Sequence, residues 1–332
     1  MNDQFAVPSS QFSERSDSER VHRELRTGKL RTPLILYPDC VPELPEVETI
    51  AQGLNKRIAA DTIESVWIGS RKQPLKSPAA VIAATLEGKR ILRVHRAGKH
   101  IVFDLEGKPR PGKTKGATRS KTLRSESSGA AQWIVHLGMT GHMTVSDPAF
   151  EIAKHTHLIA KLGSGRELRF VDPRMFGKLS VHLHSYDGGA FDPGGIEPLD
   201  ATEEQFIALF RGRKTPIKSA LLNQKLLRGV GNIYADESLF RASIRPRRRA
   251  ASLTRTQLSR LRQAVQEVLR EAIAAGGSSI SDYVDADGEE GFFQLQHRVY
   301  GREGEPCLVC KMPIRRIVLA GRSSHYCAKC QK

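Results

Sequence analysis

Four cysteines close the chain as two CxxC pairs, CLVC at Cys307/Cys310 and CAKC at Cys327/Cys330. A CxxC turn aims two thiolates at one point, and two such turns at this separation build a tetrahedral Zn–S4 site. Four protein ligands leave no open coordination position, so the expected cofactor is one structural Zn2+. Clustered pairs in a large chain argue for metal in a reducing compartment rather than for a secreted disulfide framework. The fifth cysteine, Cys40, stands apart. Arg315, Arg316 and Arg322 lie between the pairs. On a zinc-held hairpin they form a basic finger for phosphate; solvated arginines on a small module are the alternative.

A zinc module of that size leaves most of the 332 residues to be explained. Lys and Arg number 52 against 36 Asp and Glu, a formal charge of +16. A chain so basic most often meets a polyanion, with nucleic acid the leading candidate and a solvated basic surface the bland alternative. No apolar run approaches the length of a membrane span.

Residues 1–41 read as a tail, with acids and bases mixed and no sustained period. From Pro42 the texture changes. Leu44, Val47, Ile50 and Leu54 recur at helical spacing, with Glu43, Glu46 and Glu48 in the first turns where a helix dipole favours anions. Eight short β-like runs follow: SVWI, RILRVHRA, HIVFDL, WIVHLG, HMTVS, THLIAKL, ELRFVD and KLSVHL. The segment 107–129 interrupts them, rich in Lys, Arg, Gly and Ser, and reads as a flexible basic insertion. After the linker YDGGAFDPGG the signals turn helical: EEQFIALFRG, IKSALLNQKLL, NIYADESLFRA, and a long amphipathic run ending at Gly276-Gly277 as a helix C-cap should.

Three motifs stand out besides the cysteines. In LLRGVGNIYADE, Gly229 and Gly231 flank a turn and Asn232 opens a helix, which predicts backbone N–H groups exposed as a phosphate site. Arg211, Arg213, Lys214 and Lys218 supply cations upstream. HLGMTGHM and FVDPRMFG each end a strand-like run in a glycine loop carrying a large side chain, Met139 or Phe176, with Arg174 beside the latter. Such side chains are usually core, but an Arg and an apolar wedge on strand-end loops are also what pushes into a base stack. His155 and His157 sit at strand period, hence on one expected face; a metal pair, a phosphate contact or a structural histidine all fit.

The ordered set PELPEVET, RAGKHIVF, HLGMTGHM, DPRMFG, GVGNIYADESLF, VYGREGEPC and the C-terminal CxxC…CxxCQK resembles the bacterial formamidopyrimidine-DNA glycosylase family (8-oxoguanine DNA glycosylase/AP lyase). The resemblance runs from Pro42 to Lys332. It implies an α+β architecture: an N-terminal β-sandwich domain flanked by helices, a helix-two-turn-helix domain, and a C-terminal zinc ribbon. The boundaries expected are 42–190, 191–291 and 292–332, after an extension over 1–41.

The resemblance also implies roles. Pro42 is the nucleophile, through a free N-terminal nitrogen that attacks C1′ of a damaged nucleoside. Glu43 is its acid/base partner, Lys99 assists base loss and elimination, and Arg322 on the zinc hairpin holds phosphate and is linked to the second elimination. His155, Arg174 and Arg213 match phosphate-gripping positions, with Lys218 and Asn232 nearby. Met139, Arg174 and Phe176 match the trio that fills the gap left by a flipped base. GGSSISDYVDADGEEGFFQ resembles the loop that closes over an everted purine. The implied partner is double-stranded DNA containing oxidised purines or abasic sites, bound by a monomer in the bacterial cytoplasm at the nucleoid, with no membrane.

The chain departs from the pattern in instructive places. An internal proline nitrogen is an amide without a free lone pair, yet forty-one residues precede Pro42. Val41 stands where the family has its initiator Met, and a GUG start is written as Val when a longer frame is translated. The expectation is a mature chain beginning at Pro42, by a downstream start or by proteolysis at the same bond. Arg213 replaces a more usual lysine, and Met175 stands where a second basic residue is common. Two other functions fit parts of the pattern: an endonuclease VIII-like glycosylase for oxidised pyrimidines, and a non-catalytic damaged-DNA-binding protein with a blocked Pro42.

Overall fold

A computed structural model describes residues 41–72, 74–106, 130–183, 189–278 and 291–332. The extension before Val41, the 107–129 insertion and residues 279–290 of the expected closing loop lie outside the described residues. The described residues all belong to the compact unit Asp39–Lys332.

The chain enters helix α1 (Leu44–Ile58), whose Leu44, Val47, Ile50, Leu54 and Ile58 form one buried stripe. Eight strands follow: β1 (Thr62–Ile68), β2 (Lys89–Ala97), β3 (His100–Leu105), β4 (Ala131–His136), β5 (His142–Ser146), β6 (Thr156–Leu162), β7 (Glu167–Val171) and β8 (Lys178–Leu183). All eight coincide with the β-like runs. They hydrogen-bond in the order β5-β7-β6-β1-β2-β3-β4-β8, every neighbouring pair antiparallel. The β1–β2 seam is short, only Thr62↔Arg90 and Ile63↔Lys89. Ile63, Leu158, Leu168 and Phe170 on one side of it share a core with Ile91, Phe103, Trp133 and Leu179 on the other. The two four-stranded halves therefore face each other as a sandwich. Helix α2 (Ala79–Leu86) packs on β1 and β8. It is short and apolar except for Thr85, so it offers no amphipathic period to read.

The helical part comprises α3 (Glu203–Phe210), α4 (Ile217–Leu221), α5 (Asn232–Arg241) and α6 (Arg255–Ala274). Thr202 and Thr254 cap α3 and α6 by accepting from the N–H groups of Gln205 and Gln257 at 3.2 Å each. Helix α6 ends as expected, with Gly276 and Gly277 at φ +76° and +85° and their N–H groups bonded to Ile273 and Ala272 carbonyls. IKSALLNQKLL is helical only to Leu221. There the chain turns, and Gln224 donates to the Val230 carbonyl at 2.8 Å, ordering the glycine turn ahead of α5. The chain ends in a hairpin of β9 (Ile314–Leu319) and β10 (Arg322–Cys327). Ala320 and Gly321 make its two-residue turn at φ +47° and +76°, the left-handed pair that suits right-twisted strands.

Candidate active site and nucleic-acid interface

Glu43 is the residue around which the site is built. It is 3 % exposed. Its carboxylate accepts from the N–H groups of Ile233 at 3.2 Å and Tyr234 at 3.5 Å, in the first turn of α5. The expected phosphate site at that helix start is therefore filled from within. The glycines of GVGN exist for this contact: a Cβ at Gly231 would overlap the Glu43 carboxyl group, and one at Gly229 would lie 2.8 Å from Leu44. The Leu44 N–H donates to the Gly229 carbonyl at 3.0 Å, closing the cradle. Burial raises the Glu43 carboxyl from 4.5 to about 7, against the opposing charge of Lys99. Near neutrality it is thus divided between acid and carboxylate, directly beside Pro42.

Glu46 fixes this pair from one helical turn away. It is fully buried, and its carboxylate accepts from the Glu43 N–H at 2.8 Å, from the Ser278 N–H at 2.8 Å and from the Tyr234 hydroxyl. Burial raises its pKa, and the Tyr234 hydroxyl opposes that rise. Ser278 in turn meets His297, Oγ to Nε2, at 3.0 Å. Burial depresses the His297 imidazole to about 3, so this ring is neutral. In the sequence Glu46 reads only as a first-turn acid of the PELPEVET run, and its importance emerges only from these contacts.

Lys99 occupies the two-residue turn between β2 and β3, after Gly98 at φ +61°. Arg96 braces that turn. Its guanidinium donates to Glu48 at 2.7 Å, to both Glu197 oxygens at 2.8 and 3.0 Å, and to the Gly98 carbonyl at 3.2 Å. Arg228 reaches the same Glu197 at 3.2 Å. Helix α1, the Lys99 turn and the glycine turn before α5 are thus tied by one charge network.

His155, Met139, Arg174 and Phe176 come from two loops and a strand end of the sandwich. Asp172 laces the loops: Thr140 Oγ1 donates to its Oδ1 at 2.6 Å and the Gly177 N–H to its Oδ2 at 2.7 Å. A Cβ at Gly138 would lie 2.5 Å from the Phe176 backbone, so glycine permits the close approach. Phe176 remains 51 % exposed, with the Arg174 guanidinium 5.1 Å from its ring centroid. The two histidines do not share a face. His155 is exposed at φ +70°, whereas His157 is buried and bonds the Asp172 carbonyl at 2.9 Å. A register shift between Thr156 and Leu158 separates them, which removes the metal-pair reading.

Among the helical-domain cations the structure divides the expected set. Arg213 and Lys214 are exposed. Lys218 is only 1 % exposed; its Nζ pairs with Asp236 at 2.7 Å and donates to the Ser323 carbonyl at 2.6 Å. It therefore braces the zinc hairpin instead of presenting charge to a phosphate. Asn232 is the first residue of α5, and its Nδ2 reaches Ser323 Oγ at 3.4 Å. Glu237 accepts from the N–H groups of Arg298, Val299 and Tyr300 at 2.8–3.0 Å. Successive residues of NIYADE thus hold different parts of the molecule.

The four sulfurs of Cys307, Cys310, Cys327 and Cys330 lie within 4.8 Å of one another. Cys307–Cys330 is 3.9 Å and Cys310–Cys327 is 3.4 Å. Four thiolates about 2.3 Å from one ion stand roughly 3.8 Å apart, so the cluster fits one structural zinc. Zinc there cross-links the base of the hairpin whose turn precedes the exposed Arg322.

Comparison with known proteins agrees with this geometry. Residues 41–179 match the formamidopyrimidine-DNA glycosylase N-terminal domain, 195–284 its H2TH domain, and 304–332 the zinc finger found in FPG and IleRS. A formamidopyrimidine-DNA glycosylase of Solibacter usitatus (strain Ellin6076) is 43% identical over 88% of this chain and 100% of its own length. The MutM (FPG) protein from Thermus thermophilus superposes with a TM-score of 0.70 at 38% identity, covering 87% of this chain and 98% of that one. The Lactococcus lactis Fpg in complex with DNA containing an abasic site gives a TM-score of 0.74 at 31% identity, covering 87% and 99%. Family models spanning most of the chain, together with relatives matched along their whole length, place this protein in the formamidopyrimidine-DNA glycosylase family.

Proposed function

We propose that the protein is a bifunctional DNA glycosylase/AP lyase that removes oxidised purines, 8-oxoguanine and formamidopyrimidines, from double-stranded DNA. The observation that carries this reading is the Pro42–Glu43 pair. A carboxyl raised to about 7 is held against a helix N-terminus beside the family's nucleophile position, with the charge of Lys99 in reach. A DNA-repair activity places the protein with the chromosome, in the cytoplasm at the nucleoid. Among the described residues no helix is long and apolar enough to cross a membrane.

The chemistry requires Pro42 to be N-terminal. A free α-amino group has an unperturbed pKa near about 8, so an appreciable fraction is neutral at physiological pH. Its lone pair attacks C1′, the bond from C1′ to the base breaks, and the base leaves with a proton that Glu43 is placed to manage. Loss of the amine's proton and opening of the sugar yield an iminium. That cation acidifies the C2′ proton; its removal expels the 3′ phosphate. Removal of the C4′ proton then expels the 5′ phosphate. His155, Arg174, Arg213 and Asn232 hold the DNA backbone, and Met139, Arg174 and Phe176 fill the space of the flipped base, whose extrusion costs a few kcal/mol. Residues 42–190, 191–291 and 292–332 form the catalytic, helical and zinc parts of a monomer acting on one lesion.

The test is borohydride trapping on a duplex carrying 8-oxoguanine opposite cytosine. Protein beginning at Pro42 is compared with the full chain, its tail verified by mass. Cross-linking confined to the Pro42 form supports the proposal. Equal cross-linking by both forms assigns the chemistry to another amine, Lys99 first. No cross-link from either leaves a DNA-binding protein. Excision of an oxidised pyrimidine in preference to 8-oxoguanine would move the specificity to the endonuclease VIII type.

A further inference from the structure

The zinc hairpin meets the helical domain along one edge of β10. In the β9–β10 ladder, Leu319↔Arg322 and Ile317↔Ser324 face each other. Following a two-residue turn, the N–H and C=O groups of Ser323, His325 and Cys327 then point away from β9. Three of these groups meet a side chain there. The Ser323 carbonyl accepts from Lys218 Nζ at 2.6 Å, and the His325 N–H donates to Asp236 Oδ2 at 2.8 Å. The Cys327 N–H donates to Gln331 Oε1 at 2.8 Å. Lys218 and Asp236 also pair with each other at 2.7 Å, and neither is more than 1 % exposed. Two buried, opposite charges therefore take one strand edge as their acceptor and donor.

We propose that Lys218 and Asp236 are positioning residues for Arg322, setting where β10 lies against α5 and hence where the Arg322 guanidinium stands relative to the reacting sugar. Hydrophobic packing and zinc hold the hairpin, and Gln331 and Arg245 tie the residues after β10 to the segment after α5, whereas the Lys218–Asp236 pair grips the β10 edge itself. A one-residue slip along this edge would move Arg322 by about 3.3 Å and turn its side chain to the opposite face. The Lys218–Asp236 pair opposes the slip, because it would leave a buried ammonium and a buried carboxylate without their backbone partners. The Lys218 ammonium also feels the charges of both Glu43 and Arg322.

The inference rests on the proposed role of Arg322 in the second elimination. Zinc-loaded protein beginning at Pro42 is given abasic-site duplex, and the ends left by the first and second eliminations are separated on a gel. Asp236→Asn keeps an acceptor for the His325 N–H and removes the charge pair. Its expected effect is a roughly tenfold fall in the share of second-elimination product, with iminium trapping and zinc content unchanged. Arg322→Ala should show the same fall, and the double variant no further one, since both act through one group. If Asp236→Asn fails to fold, Lys218→Met/Asp236→Leu replaces the buried pair by apolar groups and is read by the same product ratio. An unchanged ratio overturns the proposal. So does a fall shared equally by trapping and zinc content, or an additive double variant. If Arg322→Ala alone leaves the ratio intact, the assignment of Arg322 has failed, which that arm shows by itself, and the positioning role goes with it.

Discussion

Glu43 sits in conflict between two physical effects. The N-terminus of α5 favours a negative charge, and complete burial opposes it. Burial wins, so the carboxyl reaches about 7 and holds its proton more tightly in the folded chain than in the unfolded one. From its ordinary 4.5 up to about 7 the native state binds more protons. Stability therefore falls as pH rises through that window, by on the order of 3 kcal/mol from this group. Glu43→Gln should flatten that fall, measured by urea unfolding at pH 5 and pH 8; a slope equal to the parent's would refute the assignment. The same variant should lose roughly 10²- to 10⁴-fold in base excision while retaining lesion binding, read by single-turnover kinetics and by titration. Gly231→Ala tests the cradle. The added methyl would overlap the Glu43 carboxyl, so excision should collapse and stability drop by about 2–4 kcal/mol in the same unfolding assay.

In the sandwich domain most of the proposed DNA contacts sit on loops and strand ends, and two of those loop regions are each locked by one buried side chain. Arg96 does this for the Lys99 turn, and Asp172 for the Met139 and Phe176 loops. The pattern is a rigid platform with exposed tips. Phe176 is such a tip, so Phe176→Ala should leave stability within about 0.5 kcal/mol. It should lower the population of flipped base, read by 2-aminopurine fluorescence next to the lesion. Unaltered fluorescence would return Phe176 to the status of an incidental surface aromatic.

At the scale of the molecule, helix α5 is the hub. Tyr234 reaches Glu46, Asp236 the zinc hairpin, and Glu237 the segment leading to it. The zinc cluster lies at the far side of that hub, where Phe240, Val299 and Ile314 pack around the cysteines. Chelation should release the hairpin and leave the separate sandwich core folded. The measurable result is weaker duplex binding with a shallower salt dependence. The logarithmic slope should fall by about 0.9 for each phosphate that Arg315, Arg316 and Arg322 no longer neutralise. A chelated protein with an unchanged slope would exclude the hairpin from the DNA interface.

The sequence by itself determined what depends on local pattern. Short β-like runs, several of them alternating, marked all eight strands, and an amphipathic stripe marked α1 and α6. Cysteine spacing marked the metal cluster. The order of short motifs marked the family, and with it Pro42, Glu43, Lys99 and Arg322. Only the tertiary structure decided how the motifs use one another, because those contacts join residues distant in the chain. GVGN reads locally as an anion site, and the anion turns out to be Glu43, about 190 positions away in sequence. Lys218 reads as a cation for phosphate, until burial against Asp236 and Ser323 assigns it to the hairpin. His155 and His157 read as one face, until a register shift parts them. A spacing in sequence reports which side chains can share a turn or a strand face; which of them stay in water is decided by what the rest of the fold places over them.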